Sequence, residues 1–444
     1  MARTQRELET ASIDAVTHDG RGIAAVPGKK VFVAGALPGE TVRFRRRKRQ
    51  RNYDEAELIE VLAPAPSRIV PRCPVFGTCG GCALQHMSAG DQRRIKSQAL
   101  ADNLQRIGRV EPQAWLDPLY DDAAGGAWHY RRRARLAVKD VPAKGRVLVG
   151  FREAHAPFVC DMHHCDILAG PVAGLLDPLS DLLGRLSIRS RVPQIEVAVA
   201  DNATALVFRV LDLPTDADSG ALAKFGRDFN VQILLQTGGP DTVRPLDPQD
   251  PAEALCYRLP EFDVDIEFAA TDFVQVNGGV NRLMVANAVD LLDVAPAHRV
   301  LDLYCGIGNF SLPLARRAAS VLGVEGDARQ IARGRHNAGL NGIGNCAFRQ
   351  ADLAAVDGSE AWLKQGWDRL LLDPARSGAR EIAANVEAIG ASRIVYVSCH
   401  PGTLARDAAI LVHDQGYRLE AAGIIDMFPH TGHVESLAVF QKDQ

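Results

Sequence analysis

A cysteine at the end of an apolar run carries the most informative chemistry in this sequence. Residues 394–397 are apolar and mostly β-branched, the run ends at Ser398-Cys399, and a Pro-Gly turn with a helical pattern follows. This pattern predicts a parallel strand followed by a helix, and open α/β sheets bind ligands at the carboxyl ends of such strands. A single cysteine is most often a buried core residue. At this edge its thiolate could instead act as a nucleophile.

Acidic residues follow the other strand-like runs of the C-terminal region. The apolar run 300–304 leads into the glycine turn Gly306-Ile307-Gly308, and the next run ends at Glu325; Asp352 and Asp373 follow the third and fourth runs. Each acid alone is more often a helix cap. A glycine turn between strand and helix, with an acid closing the next strand, is typical of nucleoside cofactor sites, where the acid accepts hydrogen bonds from ribose hydroxyls.

Two features favour S-adenosylmethionine over a dinucleotide as that cofactor. The turn lacks the third glycine of the dinucleotide fingerprint, so no helix end is built to receive a pyrophosphate. Asp352 is placed to meet an adenine or the sulfonium side. Residues 416–426 and 434–440 are strand-like, and an antiparallel final strand would bring Glu435 to the edge that holds Cys399. His430 and His433 could flank this site, although surface or capping roles explain them equally well.

Three further cysteines form a motif near the N-terminus. Cys73, Cys79 and Cys82 have the spacing C-x5-C-x2-C with glycines between them, so they can wrap around one metal centre. The fourth thiolate would come from Cys160 or Cys165. The spacing matches neither ordinary zinc-finger pairs nor radical S-adenosylmethionine enzymes, so an iron–sulfur cluster and zinc are equally favoured, and a motif without metal is a third alternative. Nine cysteines, an odd number, favour a reducing compartment with a metal site over a disulfide framework.

Length and composition indicate a soluble protein with several domains. A chain of 444 residues is too long for one core, and 47% hydrophobic and 24% charged residues are ordinary for a globular protein. No apolar run of about 18 residues and no signal-peptide pattern occur, so we expect a cytoplasmic protein that does not bind membranes.

The distribution of charge, rather than the net charge of −3, points to nucleic acid. Seven of the nine residues from Arg43 to Arg51 are basic, and residues 131–135 form a second basic cluster. Local basic patches are what contact with phosphates requires. A solvated charged surface is the alternative explanation for each patch.

The periodicity predicts three domains that would position these residues. Residues 1–62 are predicted to be an all-β, five-stranded barrel of the oligonucleotide-binding kind, with the basic run on a strand or loop. Residues 63–265 are predicted to be a mixed α+β domain, and residues 266–444 a doubly wound α/β sheet. In the central domain we predict a helix over 88–108 with Ile95, Leu100, Leu104 and Ile107 on one side, strands over 128–138 and 146–151, and a hairpin of 194–200 with 204–210.

Taken together, these residues resemble the RNA uracil-5-methyltransferases, and among them the branch that acts on 23S ribosomal RNA. The most specific matches are Ser398-Cys399, residues 403–407 and residues 426–435. The resemblance covers essentially the whole chain. It implies an N-terminal TRAM barrel, a central α+β iron–sulfur domain and a C-terminal Rossmann-like S-adenosylmethionine methyltransferase fold, in a monomer that methylates ribosomal RNA and not DNA.

Carried over position by position, the resemblance implies specific roles. Cys399 would be the nucleophile and Glu435 the base. A [4Fe–4S] cluster would be held by Cys73, Cys79, Cys82 and Cys165, and S-adenosylmethionine would be contacted by Gln275, Tyr304, Asn309, Glu325, Asp352 and Asp373. The chain departs from the family pattern at three places: Asp166 follows Cys165 where proline is usual, His400 replaces an asparagine, and Ala375 replaces a proline of many relatives.

Two other functions compete with this interpretation. An RNA cytosine-5-methyltransferase also uses a thiolate, but the match over residues 426–435 points to uracil. A non-catalytic RNA-binding protein would need only the barrel and the cysteine motif, and the cofactor edge with Cys399 and Glu435 counts against it. Methyl transfer to unmodified ribosomal RNA, and not to DNA, would distinguish these functions.

Overall fold

The N-terminal part of the chain forms a closed five-stranded barrel, as its turn pattern predicts. The computed structural model describes residues 8–122, 126–249 and 252–442, so residues 1–7 of the predicted barrel domain lie outside the described part. The strands are β1 (Glu9–Val16), β2 (Arg21–Ala24), β3 (Lys30–Ala34), β4 (Thr41–Arg49) and β5 (Tyr53–Ala63), in the order β1-β2-β3-β5-β4 around the barrel. Alternate residues such as Val31, Val33, Val42 and Phe44 are fully buried inside it, because successive strand residues point to opposite faces.

The helix predicted over residues 88–108 changes character near its end. Helix α1 spans Ala89–Asn103, and the Ser88 hydroxyl caps it by accepting the N–H of Asp91 at 3.2 Å. A π-helical turn, Leu104–Gly108, follows. Ile95, Leu100 and Leu104 are buried as predicted, but Ile107 is 52% exposed. The prediction for Ile107 is wrong because this residue lies inside the π turn, whose wider spacing takes it out of the α-helical register.

The central segment contains a six-stranded sheet covered by short helices. Its strands lie in the order 244–245, 232–236, 204–209, 194–199, 133–141 and 146–150. The predicted hairpin is the antiparallel pair of residues 194–199 and 204–209. The predicted strand over 128–138 starts only at Arg133, because Arg131 forms single bridges to Leu168 and Asn277 instead of a ladder. The elements are β7 (Arg133–Val141), β8 (Arg146–Gly150), α2 (Gly170–Ala173), α3 (Leu176–Arg185), β9 (Gln194–Val199), β10 (Thr204–Arg209), α4 (Asp216–Phe229), β11 (Gln232–Gln236) and β12 (Arg244–Pro245), followed by a separate hairpin of β13 (Leu255–Leu259) and β14 (Val264–Phe268).

The C-terminal part alternates strands and helices around an eight-stranded sheet. The strands are β15 (Arg299–Leu303), β16 (Ser320–Glu325), β17 (Cys346–Gln350), β18 (Arg369–Leu372), β19 (Arg393–Ser398), β20 (Tyr417–Ile425) and β21 (Glu435–Lys442). The helices are α5 (Gly278–Leu291), α6 (Ser311–Ala315), α7 (Ala328–Leu340), α8 (Arg380–Ala384), α9 (Val386–Ile389) and α10 (Pro401–Ala409). Residues of β15, β18 and β19 are almost all buried, as expected for parallel strands that helices cover on both faces.

The order of strands in this sheet explains how the central segment is attached to it. The order is β17-β16-β15-β18-β19-β21-β20-β6, where β6 is the short strand Ala114–Trp115 from the central segment. Strands β15 to β19 run parallel, β21 is antiparallel to both of its neighbours, and β6 is parallel to β20. None of the described helices is both long and apolar enough to span a bilayer.

Candidate active site

Sheet topology brings the predicted nucleophile and base to the same edge. Cys399 directly follows β19, and Glu435 is the first residue of β21. In the antiparallel ladder between these strands Ser398 lies opposite Ser436, so Cys399 and Glu435 follow as neighbours one step further along. The prediction that the final strand is antiparallel and starts at this edge is therefore correct.

Cys399 lies in a groove that all three parts of the chain share. The groove has a volume of about 640 Å³. Its walls include His18 and Asp19 of the barrel, residues 80–83 of the cysteine motif, Arg131 of the central segment and His433 beside the base. A ligand in this groove would touch the barrel, the cysteine motif and the nucleophile together.

The surroundings of Cys399 disfavour its ionised form. Burial, and then the carboxylates of Glu435 and Asp373, raise the pKa of the Cys399 thiol to about 11, although the guanidinium of Arg376 lowers it. The free protein therefore holds Cys399 as a thiol at neutral pH. Ionisation has to accompany substrate binding, because the thiolate is the nucleophilic form.

The surroundings of Glu435 place its proton affinity in the range of a general base. Glu435 is 7% exposed, and burial raises the pKa of its carboxyl to about 7, whereas Arg376 and Lys96 lower it. A pKa near the working pH suits a group that must take up and release a proton in each cycle.

His433, the alternative base, is engaged by a cation. Arg376 Nη2 lies 2.9 Å from His433 Nδ1, so Nδ1 accepts a hydrogen bond from the guanidinium. Burial and then Arg376 lower the pKa of His433, which keeps the imidazole neutral. The proton of the neutral ring is then on Nε2, so neither nitrogen of His433 is free to accept another proton.

The matched motif 403–407 holds the loop that carries Asp373 and Arg376. Asp407 is fully buried, and its Oδ2 accepts hydrogen bonds from the Ala379 N–H at 2.7 Å and from the Tyr396 hydroxyl at 2.8 Å. Arg406 donates to the Ser377 carbonyl at 2.8 Å. These contacts fix the segment between β18 and α8, so the motif acts through positioning. His400, which departs from the family pattern, caps α10 by accepting the Thr403 N–H at 3.2 Å.

Glu325 is oriented toward the glycine turn by backbone donors. Its Oε2 accepts the Gly306 N–H at 3.3 Å, and its Oε1 accepts the N–H groups of Gly326 at 2.7 Å and Asp327 at 3.1 Å. Tyr304 precedes the turn with a φ of 64°, the left-handed conformation that reverses the chain after β15. The carboxylate that sequence analysis selected for a ribose therefore lies at the turn predicted to bind the cofactor.

The other predicted cofactor residues differ in how many of their polar groups already form hydrogen bonds within the protein. The side-chain amide of Asn309 exchanges hydrogen bonds of 3.0 Å with Asn281, and its oxygen accepts the Tyr257 hydroxyl at 2.9 Å, so its backbone is what remains for a cofactor. Asp352 is exposed and accepts the Ala354 N–H at 3.0 Å, a turn-capping role. Gln275 is partly buried in the loop before α5. Burial, and then the carboxylates of Glu435 and Asp302, raise the pKa of Asp373 well above its usual range.

Four of the five candidate metal ligands share a small cavity. Cys73, Cys79, Cys82 and Cys165 line it, together with apolar groups such as Trp128 and Phe151. The fifth candidate ligand, Cys160, does not line the cavity, although its thiol lies close to that of Cys79. Burial raises the pKa of Cys79 and Cys165 to about 11 and that of Cys82 to about 12. Within the described ranges, no three His, Cys, Asp or Glu side chains are grouped closely enough to count as a metal site.

Ion pairs within the barrel neutralise much of the basic run. On β4, Arg43 pairs with Glu60 at 2.7 Å, Arg46 with Glu9 and Asp54 at 2.7 and 2.6 Å, and Arg47 with Glu57 at 3.0 Å. Arg45, Lys48 and Arg49 are exposed, and no ion pair joins them to another residue of the described part. The surface available to phosphates on this strand is therefore narrower than the sequence indicates.

Sequence analysis missed two cations at the site. Arg376 follows a strand-ending acid by three residues at the ligand edge, which is a usable signal. Lys96 gives no signal, because a lysine in a helix normally faces solvent. It is fully buried and donates to the Asp426 carboxylate at 2.7 Å.

Comparisons with known proteins agree with this arrangement. A family model described as tRNA (Uracil-5-)-methyltransferase matches residues 258–443, and a TRAM domain model matches residues 2–59. The crystal structure of the Pyrococcus abyssi tRNA (uracil-54, C5)-methyltransferase in complex with S-adenosyl-L-homocysteine is similar, with a TM-score of 0.75, 22% identity, and coverage of 97% of this chain and 100% of that chain. The predicted TRAM barrel and methyltransferase fold are thereby confirmed.

Curated relatives match over nearly the whole length. A protein of Alkalilimnicola ehrlichii named 23S rRNA (uracil(1939)-C(5))-methyltransferase RlmD is 51% identical, covering 99% of this chain and 98% of its own. Proteins with the same name from Stenotrophomonas maltophilia and Methylococcus capsulatus are 47% and 48% identical; they cover 100% and 97% of this chain, and 100% and 96% of their own. This chain therefore belongs to the family of RNA uracil-5-methyltransferases.

Proposed function

We propose that this protein transfers a methyl group from S-adenosylmethionine to carbon 5 of a uridine in 23S ribosomal RNA, at the position 1939 that the names of its relatives give. The observation that carries the proposal is the placement of Cys399 and Glu435 as neighbours on adjacent strands of the ligand edge. The shared groove supports an RNA substrate, because it reaches from Cys399 and from Val434, which directly precedes Glu435, to the barrel.

Cys399 activates the pyrimidine in the first half of the reaction. Carbon 5 of uracil is too weak a nucleophile to attack a methyl group by itself. As the thiol proton leaves to water in the groove, the Cys399 sulfur bonds to carbon 6, and the electrons of the double bond move onto carbon 5 and the neighbouring carbonyl as an enolate. Arg376 favours this step, because its guanidinium lowers the pKa of Cys399.

Glu435 completes the second half. S-adenosylmethionine supplies a methyl group on a sulfonium centre, and once carbon 5 has taken that methyl group it carries both the methyl and a proton. Glu435 removes this proton, the electron pair of the C–H bond re-forms the carbon 5–carbon 6 double bond, and the bond to Cys399 breaks to release a thiolate. With a pKa of about 7, Glu435 is ionised often enough at neutral pH to act as this base.

The residues at the glycine turn are assigned to S-adenosylmethionine. Glu325, held by three backbone donors, would accept the ribose hydroxyls. Tyr304 and Asn309 flank the turn, and Asp352 follows β17. Asp373 lies near Glu435, and Gln275 lies in the loop before α5. An acid that closes the strand after the glycine turn is the expected partner of a ribose.

The central domain is assigned a [4Fe–4S] cluster held by Cys73, Cys79, Cys82 and Cys165. The four thiols line one cavity with apolar walls, and thiolate sulfurs are the usual ligands of such a cluster. Asp166, which replaces the usual proline after Cys165, also lines this cavity and forms an ion pair of 2.9 Å with Arg72. The cluster would have a structural and RNA-positioning role, and no chemical step passes through it; zinc is the alternative occupant.

The RNA would be held by the barrel and delivered to Cys399 as a flipped base. Exposed Arg45, Lys48 and Arg49 are the cations of β4 available for phosphates. A uridine has to leave its stack before carbon 6 can reach a thiolate inside a groove. The enzyme would act as a monomer in the cytoplasm.

The test is methyl transfer with defined substrates. Purified protein is incubated with S-adenosylmethionine carrying a labelled methyl group and with unmodified 23S ribosomal RNA or DNA of the same sequence, and the modified base is mapped. Label on carbon 5 of one uridine of the RNA, lost in Cys399→Ala, is the expected result. Label on cytosine or on DNA would overturn the proposal.

A further inference from the structure

The loop that precedes Glu435 is held by segments that lie more than 300 residues away in the sequence. Residues 426–434, here called the base loop, connect β20 to β21 without helix or strand. Ile425 and Glu435, which flank the base loop, pair with each other in the ladder. The position of the Glu435 side chain therefore depends on what holds the loop that closes over this end of the ladder.

Helix α1 holds the base loop through two buried polar side chains. Lys96 Nζ donates to the Asp426 carboxylate at 2.7 Å and to the Phe428 carbonyl at 3.0 Å. Gln92 accepts the His430 N–H at 2.8 Å through Oε1, and its Nε2 lies 3.1 Å from His430 Nδ1. Gln92 and Lys96 are at most 1% exposed, so water does not compete for these contacts.

The cysteine motif holds the same loop from the other side. The N–H groups of Ala83 and Leu84, directly after Cys82, both donate to the His430 carbonyl, at 2.8 and 3.0 Å. The His430 ring packs on Trp128 with ring centres 4.1 Å apart, and Trp128 lines the cysteine cavity. His430 is thus the residue at which both holds meet.

His430 adopts a conformation that needs such support. Its φ is 64°, in the left-handed region, which is strained for a residue with a β-carbon. It is 3% exposed, and burial lowers its pKa to about 4, so the ring is neutral. The contacts with α1, the cysteine motif and Trp128 maintain this geometry.

We propose that His430 is a positioning residue through which α1 and the cysteine motif hold Glu435 in place for the proton removal that ends the reaction. The inference rests on the proposed function. It says that loosening His430 slows release of the methylated RNA while addition and methyl transfer, which depend on Cys399 and the cofactor edge, continue. A change in the conformation of the cysteine motif would alter the position of Glu435 through the same contacts.

The test measures the two halves of the reaction separately in His430→Ala. In a single turnover with labelled S-adenosylmethionine, methyl transfer should stay within about twofold of wild type, and decay of the covalent protein–RNA species should slow by roughly tenfold or more, since a positioned general base is worth about 10²–10⁴-fold. His430→Asn should recover much of the release rate, because asparagine tolerates the left-handed conformation and offers an acceptor. His336→Ala, an exposed histidine paired with Glu267, is the matched control.

A second arm tests the link to the cysteine motif without measuring turnover. Cys82→Ala should increase hydrogen exchange of the base-loop amides relative to wild type, because Ala83 and Leu84 would lose their fixed place. Exchange that stays as slow as in wild type would overturn this link.

Glu435→Gln, run in parallel, separates the possible failures. If Cys399→Ala still transfers labelled methyl, the proposed function fails; if Glu435→Gln accumulates no methylated adduct, Glu435 is not the base and the role proposed for it fails. If it does and His430→Ala releases RNA at the wild-type rate, only the positioning role is overturned. Equal loss of transfer and release in His430→Ala, without recovery in His430→Asn, would mean that His430 is needed only for folding. That result would also overturn the positioning role.

Discussion

The buried ion pair of Lys96 and Asp426 allows a quantitative prediction. The two side chains are 0% and 3% exposed, and the charged atoms are 2.7 Å apart. Lys96→Met keeps most of the volume of the side chain but leaves the Asp426 carboxylate buried without its cation. Removing one partner of a buried pair costs about 3–5 kcal/mol, because the remaining charge cannot be solvated. We expect a loss of stability of this size.

A double-mutant cycle distinguishes the ion pair from loss of packing. Lys96→Met combined with Asp426→Asn removes both charges and should be less destabilised than the sum of the two single variants by roughly 1–3 kcal/mol. Urea unfolding followed by tryptophan fluorescence gives the midpoints, and because the protein has several domains the transitions have to be compared one by one. Additive costs in the cycle would refute the interpretation of Lys96 and Asp426 as a coupled pair.

Three further predictions concern the nucleophile, the cofactor and the metal. Glu435→Gln should lower the pKa of Cys399, because the Glu435 carboxylate raises it, so alkylation of the Cys399 peptide by iodoacetamide should begin at lower pH; an unchanged profile would contradict this electrostatic link. Glu325→Ala should weaken S-adenosylmethionine binding by about 1–3 kcal/mol in calorimetry, the cost of losing a buried hydrogen-bond partner, and equal affinity would mean that the ribose lies elsewhere. Anaerobically purified Cys165→Ala should lack the metal and Cys160→Ala should keep it. The reverse pattern would refute Cys165 as the fourth ligand, and zinc in place of iron would refute the cluster.

The C-terminal sheet could be predicted because its strands are buried on both faces. Parallel strands covered by helices become continuous apolar runs, such as residues 394–397, and their ends mark the ligand edge without any knowledge of contacts. The antiparallel final strand then placed Glu435 beside Cys399. These are local signals combined with one topological rule.

What could not be predicted depends on partners far away in the sequence. Lys96 can be buried because it pairs with Asp426, and this partner lies 330 residues later in the chain. Three of the six cations of β4 form ion pairs with acids of β5 and β1, which only strand register reveals. Ile107 is exposed because of a π turn that its sequence periodicity does not show.

The measurement that tests the central claim most directly is the fate of labelled methyl in Glu435→Gln. This substitution keeps the size of the side chain but removes the base, so the reaction should stop after methyl transfer with the RNA still bonded to Cys399. On a denaturing gel, Glu435→Gln should give a protein–RNA species that carries the label, and Cys399→Ala should give none. Normal turnover by Glu435→Gln, with a labelled adduct in His433→Ala instead, would contradict the account and make His433 the base.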